Sequence, residues 1–437
     1  MSYILNCCYL AALTIISPWF VYCAIRKQKY RDGLSAKLLG KVPKRESGKP
    51  CIWFHAVSVG EVNVLQTLLS RLENQLPSFE FVISVTTRTA YELASKKYAP
   101  RKVFYCPLDF TWAVNEALGR IRPDVLVLTE LELWPNLIRT AKQNGTKVAV
   151  INGRLSESSF RGYGRIRWLI SSVLKSIDAI AVQNTDYADR FVQLGATKEF
   201  VHVTGSLKFD GAQTDRGNTE TIRLASLAGI SPDDTVFLAG STQAPEEDLA
   251  LKTFLSLVDE HPRLRLLLVP RHPERFAEVA RLLDCSAVRW QRRSTLELAG
   301  PNRNARVLLV DTIGELGAWW GTAQIAFVGG SMGSRGGQNM IEPAAYGAAV
   351  SFGPNTRNFR DVVEMMLDRE AAHVVADGQG LDGFVRRCLE EPAYVNALGE
   401  SASRLVKEQT GASRRTCEVL VELVEKRRIP NRHKVAA

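Results

Sequence analysis

Short apolar runs recur along the chain, each followed by a polar turn and then by a helical pattern. A run that is apolar at nearly every position fits a strand buried on both faces, as in a parallel sheet. The first series is Cys51 to His55, Glu80 to Thr86, Val103 to Cys106, Asp124 to Thr129, Lys147 to Ile151, Ile177 to Val182 and Phe200 to Thr204. Between Cys51–His55 and the next run, a helical pattern continues to Leu76. Residues 210–220 are polar and glycine-bearing and interrupt the alternation, which reads as a domain boundary. A second series follows: Thr235 to Ala239, Leu264 to Val269, Arg306 to Val310, Ile325 to Val328 and Ala348 to Phe352. From Asp382 onward the tail is helical. Strands alternating with helices predict an α/β fold, and 437 residues suffice for two such domains.

The run Ile325–Val328 opens the most distinctive stretch. Gly329, Gly330, Gly333, Gly336 and Gly337 follow within nine residues, and Asn339 to Tyr346 reads as the first turns of a helix. A strand, a glycine-rich turn and a helix start make a natural phosphate seat, because the unpaired N–H groups attract an anion. Asn339 and Glu342 lie three apart and share one helix face. That carboxylate suits a sugar hydroxyl better than a phosphate. A mobile loop followed by an ordinary helical Glu accounts for the same residues.

Charge changes the picture at the N-terminus. The net charge is +10, yet residues 26–49 alone hold nine Lys or Arg (Arg26, Lys27, Lys29, Arg31, Lys37, Lys41, Lys44, Arg45, Lys49) against Asp32 and Glu46. The basic character is therefore local and speaks against a nucleic-acid-binding body. It follows an uncharged stretch, Tyr3 to Ile25, of about the length a bilayer core needs. A buried helix remains the alternative. A cleaved signal is disfavoured by the missing basic leader and the long apolar run. Cations on its C-terminal side favour a membrane anchor, spanning or lying on the surface, with the rest of the chain in the cytosol. The same cations would bind anionic lipid headgroups. The eight cysteines include no CxxC pair and the six histidines no HxxxH pair, so neither a disulfide framework nor a metal site is expected.

Polar clusters sit where strands end, which is where open α/β sheets collect ligands. Glu61 falls where the loop after His55 becomes a helix; complementing the helix dipole is its bland role. Glu130 and Glu132 flank Leu131 ahead of Trp134-Pro135, either as site carboxylates or as helix-start acids. Lys208 and Arg271 are candidate cations, or solvated surface charges. No GxGxxG follows the first strand, which disfavours a dinucleotide oxidoreductase.

Seven motifs then fall together in order. They are His55-Ala-Val-Ser-Val-Gly-Glu61, Glu130-Leu-Glu-Leu-Trp-Pro-Asn136, Asn152-Gly-Arg-Leu-Ser156, Gly205-Ser-Leu-Lys-Phe-Asp210, Pro270-Arg-His-Pro-Glu-Arg-Phe276, Asp311-Thr-Ile-Gly-Glu-Leu316 and Gly329 to Pro343. In these the chain resembles the 3-deoxy-D-manno-octulosonic acid (Kdo) transferases, over essentially its whole length to about residue 410. The resemblance implies a GT-B fold, two Rossmann-like domains facing across a cleft. It implies a membrane anchor (1–25), a basic linker (26–49), an acceptor-binding domain (50–209), an interdomain linker (210–220), a CMP-Kdo-binding domain (221–410) and a C-terminal helix with a basic tail (411–437). It further implies CMP-Kdo as donor, a lipid A precursor as acceptor, no cofactor, and a place on the cytosolic face of the inner membrane. By matching position Glu61 is the base, and Glu130 and Lys208 surround the transition state. The implied CMP-Kdo contacts are Pro270, Arg271, His272, Ile313, Gly314, Glu315, Gly330, Ser331, Asn339, Met340, Ile341 and Glu342.

One loop departs from the family. After Gly240-Ser-Thr242 the family runs His-x-Gly-Glu-Glu, and here the chain runs Gln243-Ala-Pro-Glu246-Glu247. Two rival functions stay open: another GT-B nucleotide-sugar transferase or epimerase, and a membrane-tethered nucleotide-binding scaffold without catalysis.

Overall fold

The computed structural model of the chain describes residues 2–26, 32–302 and 304–428. Parts of the basic linker (27–31) and of the basic tail (429–437) lie outside these, as do the side chains of Lys426, Arg427 and Arg428. The chain forms two units, residues 1–210 with 410–437, and residues 211–409.

The first unit carries a seven-stranded sheet: β1 (Cys51–His55), β2 (Glu80–Val85), β3 (Val103–Tyr105), β4 (Val125–Thr129), β5 (Lys147–Gly153), β6 (Ala179–Val182) and β7 (Val201–Val203). Their order is β3-β2-β1-β4-β5-β6-β7. The second carries β8 (Thr235–Thr242), β9 (Leu264–Pro270), β10 (Trp290–Arg292), β11 (Val307–Leu309), β12 (Ile325–Val328), β13 (Ala349–Phe352) and β14 (His373–Val374), in the order β10-β11-β9-β8-β12-β13-β14. Every neighbouring pair is parallel, which is why the central runs are apolar on both faces. Strand order reverses between β1 and β4 in one sheet and between β8 and β12 in the other. Crevices at the carboxyl ends of strands open at such reversals. β10 and β14, missed in the sequence, are edge strands of three and two residues, too short for a pattern.

Helices follow the strands for local reasons. The helix Val59–Gln75 starts at Ser58, whose side chain caps Glu61 N–H while Glu61 caps Ser58 N–H in return. Val62, Leu65, Leu69 and Leu72 then recur at helical spacing and are buried under the sheet. The helix Ala412–Arg428, expected as a separate tail, packs Ala412, Cys417, Leu420, Leu423 and Val424 into the same core. Asp210 fastens its start by accepting from the N–H groups of Gly411 (2.7 Å) and Ser413.

Two N-terminal expectations change. The helix Ser2–Arg26 holds Pro18, and Asn6, Thr14 and Ser17 dilute its apolar character. Among the described residues no helix is long and apolar enough to cross a membrane. Arg45, expected in the headgroup-binding cluster, is instead buried: its guanidinium donates to the carbonyls of Ile121, Lys49 and Arg122 and pairs with Glu80 at 3.3 Å. Three carbonyls and a carboxylate replace the water it loses.

Leu420 is fully buried against the first sheet. Leu420→Ala should cost about 3 kcal/mol of first-unit stability, read as a lower denaturant midpoint. An unchanged midpoint would show that the C-terminal helix is not part of that core.

Candidate active site

In the first unit, the reversal between β1 and β4 brings two motifs together. His55 ends β1 opposite Leu128 of β4, so the loop Ala56–Ser58 and the turn Glu130–Trp134 leave the sheet side by side. Glu61 is turned back into this edge and is 7% exposed. Its carboxylate accepts from Val57 N–H (2.9 Å), Ser58 N–H (3.2 Å), the Ser58 hydroxyl (2.8 Å) and the Thr129 hydroxyl. Thr129 also reaches the His55 carbonyl at 3.0 Å, so one hydroxyl ties the two strand ends to Glu61. His55 lies beneath, its Nδ1 2.9 Å from Ser84 Oγ and its buried Nε2 without a partner among the described residues. Burial lowers its pKa to about 4, against a smaller opposing effect of the Ser84 carbonyl, so the imidazole is neutral at pH 7.

The other two acids fall on the turn. Glu130 is half-buried with φ 53°, a left-handed backbone that costs a non-glycine residue about 1 kcal/mol. Glu132 is half-buried and accepts from the Trp134 indole N–H at 2.8 Å. Burial raises its pKa to about 7; repulsion from Glu61 and Glu130 adds to this and the Trp134 hydrogen bond opposes it. Glu61, Glu130 and Glu132 thus share the switch point closely enough for Glu132 to feel the charge of the other two. Lys208 is half-buried in the short turn Leu207–Phe209 after β7. The Asn152 side chain accepts from Leu207 N–H at 3.0 Å and so fixes that turn.

The glycine stretch of the second unit differs from expectation. Its anion is supplied by the chain itself: Glu246, 1% exposed, accepts from the N–H groups of Gly330 (2.7 Å), Ser331 (2.9 Å), Met332 (2.9 Å) and Gln243 (2.9 Å). The N–H groups of Gly330 and Ser331, expected to meet CMP-Kdo, are therefore engaged by Glu246. Gly329 must be glycine because a Cβ there would lie 2.7 Å from the same carboxylate and 2.7 Å from Thr242 Cα. The helix after the loop is only Ile341–Ala345, shorter and later than the reading from Asn339. Met340 and Ile341 turn into the core, 0% and 2% exposed, so their side chains are closed to a ligand.

The remaining expected contacts divide. Asn339 Nδ2 donates to Glu342 at 2.9 Å. Burial raises the Glu342 pKa, while Asn339 and the charge of Arg271 lower it, which sets the exposed Arg271 beside this pair. Pro270 ends β9, and His272 is half-buried one residue beyond Arg271. Ile313 and Gly314 are exposed beyond β11, whereas Glu315 is bound to buried Arg293 through two hydrogen bonds (2.9 and 2.6 Å) and to Thr312 at 2.7 Å. Arg275, inside the Pro270–Phe276 motif, grips buried Glu247 in the same forked way.

The comparisons decide between the readings. Residues 33–211 match the family model described as 3-deoxy-D-manno-octulosonic-acid transferase (kdotransferase). A 3-deoxy-D-manno-octulosonic acid transferase of Haemophilus influenzae is 32% identical over 422 residues, covering 96% of this chain and 95% of that one. The chain belongs to the Kdo transferase family. It is a glycosyltransferase with two seven-stranded parallel sheets. Solved structures share that fold at low identity: a glycosyltransferase from Rickettsia africae (12% identical, TM-score 0.52, 87% of this chain and 100% of that one) and a UDP-GlcNAc 2-epimerase from Neisseria meningitidis (13%, 0.51, 85% and 100%). The fold alone therefore does not choose between transfer and epimerisation; the sequence family does.

Three features of this Kdo transferase were not read from its sequence. Glu246 as the partner of the glycine loop needed the long-range pairing of β8 with β12. Arg293 as the partner of Glu315 lies 22 residues away in no motif. Glu260, His261 and Glu390 also converge within metal-ligand distance, but Arg386 already pairs with Glu260 at 2.8 Å and Glu390 at 3.5 Å.

Glu246→Gln turns an amide –NH2 toward backbone N–H donors. It should cost about 2–3 kcal/mol and weaken CMP binding, seen by thermal unfolding and calorimetry. Unchanged stability and affinity would show that the glycine loop holds its shape without this carboxylate.

Proposed function

We propose that the chain transfers Kdo from CMP-Kdo to a hydroxyl of a lipid A precursor, lipid IVA, in lipopolysaccharide synthesis, with inversion at the anomeric carbon. Glu61 carries this reading: a buried carboxylate, aimed by backbone N–H groups, at the switch point of the first sheet in a family of Kdo transferases. In the reaction the acceptor oxygen forms a bond to the anomeric carbon, its proton passes to a Glu61 oxygen, and the bond from that carbon to the CMP phosphate oxygen breaks. The electron pair leaves with CMP. The Thr129 or Ser58 O–H must swing its proton away to open a lone pair on Glu61, a rotation about the C–O bond that leaves the oxygen in place, so Ser58 Oγ can still accept from Glu61 N–H and Thr129 can still donate to the His55 carbonyl. General-base help of this kind is worth about 10²–10⁴ in rate.

The donor is an anion twice over, through its phosphate and the carboxylate of Kdo. Arg271 and Lys208 are the cations assigned to meet it, the guanidinium being suited to two phosphate oxygens at once. Asn339 and Glu342 suit hydroxyls of the sugar. Glu130 takes a place beside the reacting atoms on the strained turn.

The reaction is assigned to the cytosolic face of the inner membrane. Supporting this, Ile15 (79%), Ile16, Trp19 and Tyr22 of the N-terminal helix are exposed, with Leu34, Leu39 and Trp112 of the same unit. Exposed Lys41, Lys44 and Lys49 follow. Apolar and aromatic side chains with nearby cations fit a helix lying in the interface of a bilayer with anionic lipids.

Membranes holding the enzyme should convert lipid IVA to Kdo-bearing lipid when CMP-Kdo is generated in place, with each added Kdo counted by mass. CMP binding without any such product would overturn the acceptor assignment. Glu132 is neutral below and anionic above about pH 7. An anionic neighbour favours a proton's arrival at the cluster, so kcat should rise through about pH 7, and Glu132→Gln should lose that limb and about tenfold in rate. An identical pH profile in the variant would remove Glu132 from the cluster's chemistry.

A further inference from the structure

The N-terminal helix is joined to the body by a polar junction that a simple tether does not need. Asn6, 6% exposed, donates from Nδ2 to Thr111 Oγ1 (2.7 Å) and accepts at Oδ1 from Thr111 N–H (3.2 Å) and from Asn136 Nδ2 (3.4 Å). Three residues on, and so on the same helix face, the Tyr9 hydroxyl donates to Asp109 Oδ2 at 3.0 Å. The Tyr9 ring stands edge-on to Phe110, 6.0 Å between centres. A helix held only by a bilayer gains nothing from orienting a buried Asn6 and a half-buried Tyr9 against its own protein.

Asp109 and Asn136 lead directly to the carboxylate turn. The helix Pro135–Gln143 begins at Trp134, whose side chain makes no cap. Asp109 takes over: Oδ2 accepts from Asn136 N–H (3.0 Å) and Oδ1 from Leu137 N–H (2.8 Å), two of the donors a helix start leaves open. Asn136 returns a hydrogen bond from Nδ2 to the Asp109 carbonyl at 2.6 Å. Two residues upstream Trp134 holds Glu132, and between Thr129 and Trp134 the backbone runs through successive tight turns with little slack. Movement of the helix start is therefore movement of Glu132.

We propose that the N-terminal helix is a positioning element of the carboxylate cluster, with Asn6 and Tyr9 as positioning residues that hold Asp109 and Asn136 and thereby set the turn Glu130–Trp134. The proposal rests on the reading of that cluster as the reacting site. It ties membrane seating to catalytic geometry: the segment that meets the lipid also fixes the turn bearing Glu130 and Glu132.

The test uses the full chain in membranes, with Tyr9→Phe, Asn6→Leu and the double variant. Membrane flotation, kcat, KM for CMP-Kdo and backbone hydrogen exchange over residues 130–137 are measured on each, with Glu132→Gln alongside. A positioning role predicts wild-type flotation and wild-type KM for CMP-Kdo. It predicts kcat lower by about 3-fold in Tyr9→Phe and about 10-fold in the double variant, with faster exchange over 130–137. Tyr9→Phe removes a single hydroxyl, so it keeps the test open should the double variant fold poorly. Wild-type kcat and exchange in Tyr9→Phe and Asn6→Leu would overturn the proposal and leave the helix a tether. If Glu132→Gln also transfers at the wild-type rate, Glu132 takes no part in the chemistry, and the proposal falls because the turn it positions carries no working group.

Discussion

Buried carboxylates that take their hydrogen bonds from backbone N–H groups shape both units at the carboxyl edges of their sheets. Glu61 does so at β1 and β4, Asp109 at the helix after β4 and Glu246 at β8 and β12, and the half-buried Asp210 does the same at the returning C-terminal helix. A carboxylate taken out of water is destabilising by several kcal/mol unless donors surround it. Each of these has at least two, and Glu61 and Glu246 have four. Because most of those donors are backbone, a loop can satisfy its carboxylate in one conformation only. The left-handed Glu130 and Ser241 sit at these same strand ends, where such over-determination can hold a strained backbone.

This arrangement decides which groups remain for substrate. The glycine loop follows a strand as a phosphate seat does, but its Gly330, Ser331 and Met332 N–H groups converge on Glu246, so these three donors are taken within the chain. In the proposed reaction, side chains rather than these N–H groups meet the anionic donor, with Arg271 and Lys208 the proposed cations. The arginines inside the motifs divide in the same way: Arg275 is committed to Glu247, while Arg271 stays exposed beside Glu342. The N-terminal cations divide too, Arg45 being drawn into the body while Lys41 and Lys44 stay outside.

Much of this was legible in the residues. Central strands such as β4 and β12 are buried on both faces and advertise themselves as apolar runs, and the motifs at their ends marked the switch points. Glu61 was legible both as a candidate base and as a first-turn acid, and the structure gives it the cap geometry at the strand switch. What was not legible depends on contacts far apart in sequence. β10 and β14 are too short to carry a period. Glu246 was read only as part of a departing loop, because three of its four donors lie 84–86 residues away. Asn6 and Tyr9 went unremarked within the uncharged N-terminal stretch, since their partners, Thr111, Asp109 and Asn136, lie at least 100 residues on.

The central claim is that Glu61 receives the acceptor's proton. Its most direct test is transfer of labelled Kdo by Glu61→Gln beside wild type, with CMP affinity measured on both. The amide keeps the shape of the side chain but cannot take the proton, so the account predicts CMP affinity like wild type and transfer lower by about 10²–10⁴. Equal transfer by the two proteins would contradict it and return Glu61 to the role of a helix cap.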